Sequence, residues 1–288
     1  MAQELTSTTA YPLSSEVSIP ILGFGTCQST VCTQACLQAF SAGYRHLDTA
    51  QIYRNEVETG AAVKKSHIPR SEIFVCSKLW EADLESGKPT YSRSSAAYNV
   101  DRSLKALGLD YIDLYLLHNP RPGRAARHEA WLGLQECVRN GKLKAIGVSN
   151  FSPAAIEMLM KEEGVDIMPA VNQIEFHPWN QQRKLLEYCE EKGIVVVAYS
   201  PLCLGRKLGD PTIVEIAKRV GKSAAQVCLR WCLQMGVVII PKSDREERIK
   251  ENASIFGWEL SEEDMKKIEK LDMGQKGNQG EWDPYAWE

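Results

Sequence analysis

An eight-stranded parallel α/β barrel is the fold predicted for this chain, and three observations predict it. Short apolar runs alternate with amphipathic helical stretches along the sequence, the pattern of repeated βαβ units. Successive runs lie roughly 25–40 residues apart, room for one helix per crossover. The length of 288 residues suits one barrel, which needs roughly 250. A single domain over residues 1–288 is therefore expected.

The elements follow in order. Residues 11–20 suit a β-hairpin that plugs the barrel bottom, and 21–26 form the first strand. The remaining strands fall at 44–48, 73–78, 112–118, 145–150, 170–173, 195–199 and 237–242. Each is an apolar run of the kind that a strand buried on both faces requires. Helices are expected at 31–42, 56–65, 92–107, 128–140, 153–163, 182–192, 211–220, 223–234, 245–254 and 261–271. Ser152-Pro153 and Asp210-Pro211 put a capping side chain before a proline at the first helical position. Ser261-x-x-Asp264 is a capping box. Gly141, Gly164, Gly193 and Gly221 follow helices and suit left-handed C-caps. The tail, 274–288, has no periodicity but holds Trp282, Tyr285 and Trp287.

Composition excludes several function classes. A net charge of −3 gives no field to recruit nucleic acid or an anionic membrane. No apolar run approaches the roughly 20 residues of a membrane span. The start, Met1-Ala2-Gln3-Glu4, has neither the basic region nor the apolar core of a signal peptide. The nine cysteines are odd in number, scattered and without a Cys-x-x-Cys pair, so they read as reduced thiols in a cytoplasmic protein.

Seven of the strands end on polar residues, and a barrel gathers its strand ends on one face. Asp48, Lys78 and His118 are three of these, and Tyr53 follows Asp48 in the next loop. Lys78 lies in an apolar run and needs an anion, for which Asp48 is the candidate. An ammonium beside Tyr53 should lower its pKa from about 10 and make it a general acid. His118 could orient a carbonyl oxygen. What this set lacks is a hydride, which a nicotinamide supplies. Gly23-x-Gly25 lacks the third glycine of the Rossmann fingerprint. A phosphate site is better sought at Ile240-Pro241-Lys242-Ser243 with Arg248, where two cations and a hydroxyl meet a helix start.

Three stretches carry a resemblance to a known family. They are Gly43-Tyr44-Arg45-His46-Leu47-Asp48-Thr49-Ala50-x-x-Tyr53-x-Asn55-Glu56, then Leu104-Lys105-x-Leu107-Gly108-Leu109-Asp110-Tyr111 running on to His118, then Ile240-Pro241-Lys242-Ser243 with Arg248-Ile249-x-Glu251-Asn252. Over nearly its whole length the chain resembles the aldo-keto reductases. The resemblance implies a catalytic tetrad of Asp48, Tyr53, Lys78 and His118 and a cofactor, NADPH, rather than a metal. It implies that Ser149, Asn150 and Gln173 hold the nicotinamide carboxamide and that Tyr199 stacks on its ring. Ser200 and Leu202 would meet the pyrophosphate, with Thr26, Asp48, Pro201 and Ile240 completing the contacts. Lys242, Ser243 and Arg248 would take the 2′-phosphate, and Glu251 and Asn252 would lie near the adenine. The partner implied is a small-molecule carbonyl, with the protein a monomer or at most a dimer.

Departures from that pattern concern substrate. Cys27 stands where similar enzymes often carry an aromatic, and Asn119 where they commonly carry tryptophan, while Trp80 is retained. With Tyr53, His118 and Trp282 these would form the substrate pocket. A smaller, more polar rim predicts bulky or polar carbonyls. Arg121, Arg124 and Arg127, read as loop residues before a helix, could serve an anionic substrate. Two other readings stay open. His46, Asp48, His118 and His177 could ligate a metal in a barrel hydrolase, or the chain could bind its cofactor without turnover.

Overall fold

The computed structural model describes residues 5–280 and 282–287, so the N-terminal start read for a signal peptide lies outside the described residues. Strands β1 (Ala10–Pro12) and β2 (Ser18–Pro20) form the hairpin, with Tyr11 opposite Ile19. The barrel strands follow as β3 (Phe24–Gly25), β4 (His46–Asp48), β5 (Phe74–Leu79), β6 (Ile112–Leu117), β7 (Leu143–Ser149), β8 (Val171–Glu175), β9 (Val195–Tyr199) and β10 (Val238–Ile239). All pair in parallel with their sequence neighbours. A parallel bridge between Leu22 and Ile239 joins the first and last strands. The Gly23 N–H donates to the Ile239 carbonyl at 2.8 Å, and the Ile239 N–H donates to Ile21 at 3.0 Å.

The closing strands are shorter than the sequence suggests. Pro241 has no N–H to donate, so the ladder fades after Ile239, although its carbonyl still accepts from Gly25 at 3.2 Å. Two glycines make the closure possible. A Cβ on Gly25 would lie 2.8 Å from the Ile240 carbonyl oxygen, and one on Gly23 would lie 2.5 Å from the His46 ring.

Helices α1 (Cys32–Ser41), α2 (Glu56–Lys65), α3 (Arg93–Leu107), α4 (Arg124–Arg139), α5 (Pro153–Met160), α6 (Arg183–Glu191), α7 (Pro211–Val220), α8 (Ala224–Gln234), α9 (Glu246–Ala253) and α10 (Glu262–Glu269) accompany the strands. The expected caps are present. The Ala155 N–H donates to the Ser152 side chain, the Thr212 N–H to Asp210, and Ser261 and Asp264 cap α10 reciprocally. The four helix-ending glycines all have positive φ.

Helix α4 corrects the sequence reading. It begins at Arg124, four residues early, so Arg124 and Arg127 are helical and only Arg121 lies in the loop. Its N-cap, Gly123, offers no side chain for a cap bond, which is why the start carries no sequence signal. The structure also extends β8 two residues past Gln173, to Glu175.

Candidate active site

The hairpin marks one end of the barrel. His46, first residue of β4, has Nδ1 3.2 Å from the Pro20 carbonyl at the close of β2. Asp48, last residue of β4, is therefore at the other end, with the carboxyl ends of the remaining strands. There Lys78 of β5 is fully buried, and its Nζ donates to Asp48 Oδ1 at 2.5 Å and to the Thr49 carbonyl at 2.8 Å. The second oxygen, Oδ2, accepts from Gln173 Nε2 at 2.7 Å. The anion predicted for Lys78 is thus the one observed, and both carboxylate oxygens are engaged. Burial alone would depress the Lys78 pKa, but Asp48 overcomes it and holds the ammonium above its ordinary range.

Tyr53 ends a short 3-10 turn, Gln51–Tyr53, that follows β4. Lys78 Nζ lies 5.0 Å from its ring centre, and the His118 ring meets it edge-on at 5.7 Å. The four residues expected to act together are therefore together. One expectation about them fails. Burial pushes the Tyr53 hydroxyl above its usual pKa; Lys78 pulls it down, as anticipated, but Asp48 and Cys27 oppose that pull. The ammonium is largely neutralised by the carboxylate 2.5 Å away, so net lowering does not occur and Tyr53 stays protonated at neutral pH. Burial, then Lys78, push His118 well below its usual value, so its imidazole is neutral. Its Nδ1 is buried with no protein partner.

The next strand ends build a linked wall beside this group. Ser149 Oγ donates to the Gln173 carbonyl at 2.8 Å, and Asn150 Nδ2 donates to Ser149 Oγ at 3.1 Å. Tyr199 Oη donates to Asn150 Oδ1 at 3.0 Å. Asn150 adopts a left-handed conformation, φ 63°, which an asparagine tolerates and most residues do not. Ser200, Pro201 and Leu202 start the loop after β9, with Ser200 also at positive φ, 49°. Thr26 closes the opposite side, donating from N and Oγ1 to the Asp48 carbonyl at 2.9 and 3.0 Å.

Beyond Ile240, Lys242 and Arg248 are exposed and Ser243 is buried, with Glu251 half-buried and Asn252 buried on α9. Arg248 is in no ion pair among the described residues. A free guanidinium, an ammonium and a hydroxyl are the donor chemistry that a phosphate needs. The side-chain amides of Asn150 and Gln173, on neighbouring strand ends, suit a carboxamide, so these residues could hold a nicotinamide dinucleotide.

Beside His118, Trp80 packs edge-on at 5.1 Å, and Trp282 of the tail packs edge-on against Trp80 at 5.8 Å. Cys27 is an exposed residue whose thiol lies against Tyr53 and is pushed up by partial desolvation there. Asn119 departs from its expected place: it is fully buried rather than on an open rim. Its Oδ1 accepts from the Arg121 N–H at 3.0 Å, and its Nδ2 has no partner. The three arginines also disperse. Arg124 pairs with Glu162. Arg127 is buried and donates to the Trp287 carbonyl at 3.1 Å. Arg121 lies over the rings of Trp282 and Trp287, at 5.3 and 5.6 Å, and faces Glu81 at 3.6 Å. Arg121 and Arg127 thus hold the tail while Arg124 pairs elsewhere, and the three do not gather at one place.

Sequence reasoning missed three residues that shape the site. Asn55 sits in a quoted motif, but no role was read from it; its side chain donates to the Thr26 carbonyl at 2.8 Å and accepts from Thr49 Oγ1 at 2.8 Å, tying β3 to β4. Gln51 holds the Trp80 N–H at 3.2 Å. Glu175, at the end of β8, accepts from the tail N–H groups of Gln279 at 2.7 Å and Gly280 at 3.0 Å, with His177 Nε2 at 2.9 Å. His177 is thereby committed to Glu175 and His46 to the hairpin, and the proposed histidine metal ligands do not converge. Among the described residues no group of histidine, cysteine, aspartate and glutamate is placed to hold a metal.

A buried Lys–Asp pair, a tyrosine against that ammonium and a neutral histidine lie together at the mouth of a parallel barrel, a set that can pass a proton. Comparison with known proteins places it further. The model of the aldo/keto reductase family matches residues 32–273. A glyoxal reductase of Bacillus subtilis is 43% identical over 267 residues, 92% of this chain and 93% of that protein. The crystal structure of an aldo/keto reductase from Brucella melitensis is 42% identical, with a TM-score of 0.85 over 92% of this chain and 100% of that one. An aldo-keto reductase of Bombyx mori, solved in complex with NADP, is 33% identical, with a TM-score of 0.84 over 93% of this chain and 94% of that one. The chain belongs to the aldo/keto reductase family, and it is an oxidoreductase of the carbonyl–alcohol interconversion.

Proposed function

We propose that this protein reduces aldehydes or ketones to alcohols with NADPH, with Tyr53 as the proton donor. The observation that carries the reading is the buried group in which Lys78 is clamped by Asp48 and faces Tyr53. NADPH, when bound, supplies a hydride to the carbonyl carbon. Tyr53, protonated because burial holds its pKa high, gives its proton to the carbonyl oxygen as that oxygen gains charge. Lys78 then stabilises the tyrosinate until solvent reprotonates it, and Asp48 keeps Lys78 in place. His118, with a neutral ring, orients the carbonyl oxygen by hydrogen bonding.

Ser149, Asn150 and Gln173 hold the carboxamide, Tyr199 covers the ring, and Ser200, Pro201 and Leu202 line the pyrophosphate with Thr26 and Ile240. Lys242, Ser243 and Arg248 bind the 2′-phosphate, and Glu251 and Asn252 contact the adenine. Of the two substrate features expected, polarity has the better support. Polar groups, Tyr53 and His118, lie beside Trp80, whereas Trp282 edge-on against Trp80 would crowd a bulky group. The named activity of the Bacillus subtilis relative, on glyoxal, points the same way. No helix among the described residues is long and apolar enough to cross a membrane, and all nine cysteines are free. A reducing, cytoplasmic location fits, with the site completed within one chain.

Following NADPH absorbance with purified protein across glyoxal-like dicarbonyls, simple aldehydes, bulky ketones and keto acids tests the reading. Consumption of NADPH with the small polar carbonyls is expected to lead. Tight NADPH binding without turnover on any of them would favour a cofactor-binding protein instead.

A further inference from the structure

The loop between β10 and α9 carries a carboxylate where a phosphate site needs none. Asp244 follows Lys242 and Ser243 directly, and its side chain is well embedded, 24% exposed. Oδ1 accepts from Ser29 Oγ at 2.6 Å. Oδ2 accepts from Lys242 Nζ at 2.9 Å, from the Thr30 N–H at 3.2 Å and from Thr30 Oγ1 at 3.4 Å. Lys242 Nζ also donates to the Gln28 carbonyl at 3.3 Å. Burial would raise the Asp244 pKa, but the bonds from Ser29, Lys242 and Thr30 prevail and hold it below the usual carboxylate range. The group is therefore ionised at neutral pH, fixed by two loops, and bound to the ammonium assigned above to the 2′-phosphate.

From this geometry we infer that Asp244 is a cofactor-specificity residue that weakens the preference of this protein for NADPH over NADH. The inference rests on the cofactor reading above. A 2′-phosphate reaching Lys242 must share that ammonium with a carboxylate that three other donor contacts and burial prevent from swinging freely away. Like charges around one cation raise the energy of the bound state. NADH carries a neutral 2′-hydroxyl at the same place. That hydroxyl meets no repulsion and can donate a hydrogen bond to a carboxylate. Arg248, unpaired among the described residues, keeps some attraction for the phosphate. Asp244 thus narrows the discrimination rather than reversing it.

The test is direct binding of NADPH and NADH, read by quenching of intrinsic tryptophan fluorescence, for the full chain and for Asp244→Asn and Ser29→Ala. Asp244→Asn is nearly isosteric: its amide oxygen can keep accepting from Thr30 while its amide nitrogen donates to Ser29 Oγ. It should tighten NADPH by about three- to tenfold and leave NADH within about twofold, a change of the size expected for a partly exposed charge interaction. Ser29→Ala removes one bond of the same staple without altering charge, and should leave the NADPH-to-NADH ratio unchanged. In Asp244→Asn/Lys242→Met the gain for NADPH should vanish. Equal weakening of both dinucleotides in Asp244→Asn, or no change in the ratio, would overturn the inference and reduce Asp244 to a loop staple. Failure of the unaltered protein to bind either dinucleotide would overturn the cofactor reading itself, a result distinct from an unchanged ratio in a protein that binds both.

Discussion

Replacing Lys78 by methionine separates what this residue does for the fold from what it does for the reaction. Lys78 is fully buried and its Nζ lies 2.5 Å from Asp48 Oδ1. Removing the ammonium leaves a buried carboxylate with Gln173 at 2.7 Å as its remaining side-chain donor. Breaking such a pair from one side costs about 3–5 kcal/mol. In a chain of this size that lowers Tm by about 6–20 °C. Asp48→Asn in the same chain removes the stranded charge. The double variant should then return to within about 2 kcal/mol of the unaltered protein. Carbonyl reduction should not return with it, because the cation facing Tyr53 is still missing. Thermal or urea unfolding of all four proteins, with NADPH-coupled turnover alongside, gives the cycle. A Lys78→Met protein as stable as the parent would refute the burial argument. A double variant that recovers both stability and turnover would refute the role of the ammonium.

Two further outcomes follow from the same site. Because burial raises the Tyr53 pKa and that of His118 falls well below its usual value, reduction at saturating NADPH needs a tyrosine that is already protonated and a histidine that is already neutral. The reductive kcat/KM should be flat between about pH 6 and 9 and fall only as Tyr53 deprotonates at more alkaline pH; a limb near pH 8 would mean that Lys78 does lower the tyrosine after all. Trp282→Ala removes the edge-to-face contact with Trp80 and one seat of Arg121. A contact of that kind is worth about 0.5–1.5 kcal/mol, so KM for a small dicarbonyl should rise about two- to tenfold with kcat little changed, and a loss confined to kcat would count against a binding role for the tail.

The barrel was legible because its signal is periodic and repeated. Each apolar run from 44–48 onward became a strand, and the polar residues that end them converged as parallel strands require. Asp48, Lys78 and His118 could be found this way, since a lysine inside an apolar run calls for a buried anion. What the sequence hid depends on partners far away along the chain or on groups without a residue code. Glu175 lies beyond the strand expected at 170–173 and carried no reading, yet it bonds to tail N–H groups 104 and 105 residues later. Asp244 was assigned no role, yet it bonds to Ser29 and Thr30 near the other end of the chain. Helix α4 starts at a glycine cap, so three arginines looked like loop charges although two of them are helical. The direction of the Tyr53 shift was misjudged for a related reason. A sequence gives the sign of a neighbouring charge, but not how burial and a counter-ion balance it.

The central claim, that Tyr53 is the proton donor of a carbonyl reductase, is tested most directly by Tyr53→Phe, with NADPH affinity and turnover measured on the same preparation. Loss of the hydroxyl should reduce kcat by about 10²- to 10⁴-fold while the NADPH Kd and the Tm stay near those of the unaltered protein. Turnover retained within a few-fold in a folded, NADPH-binding variant would contradict the account.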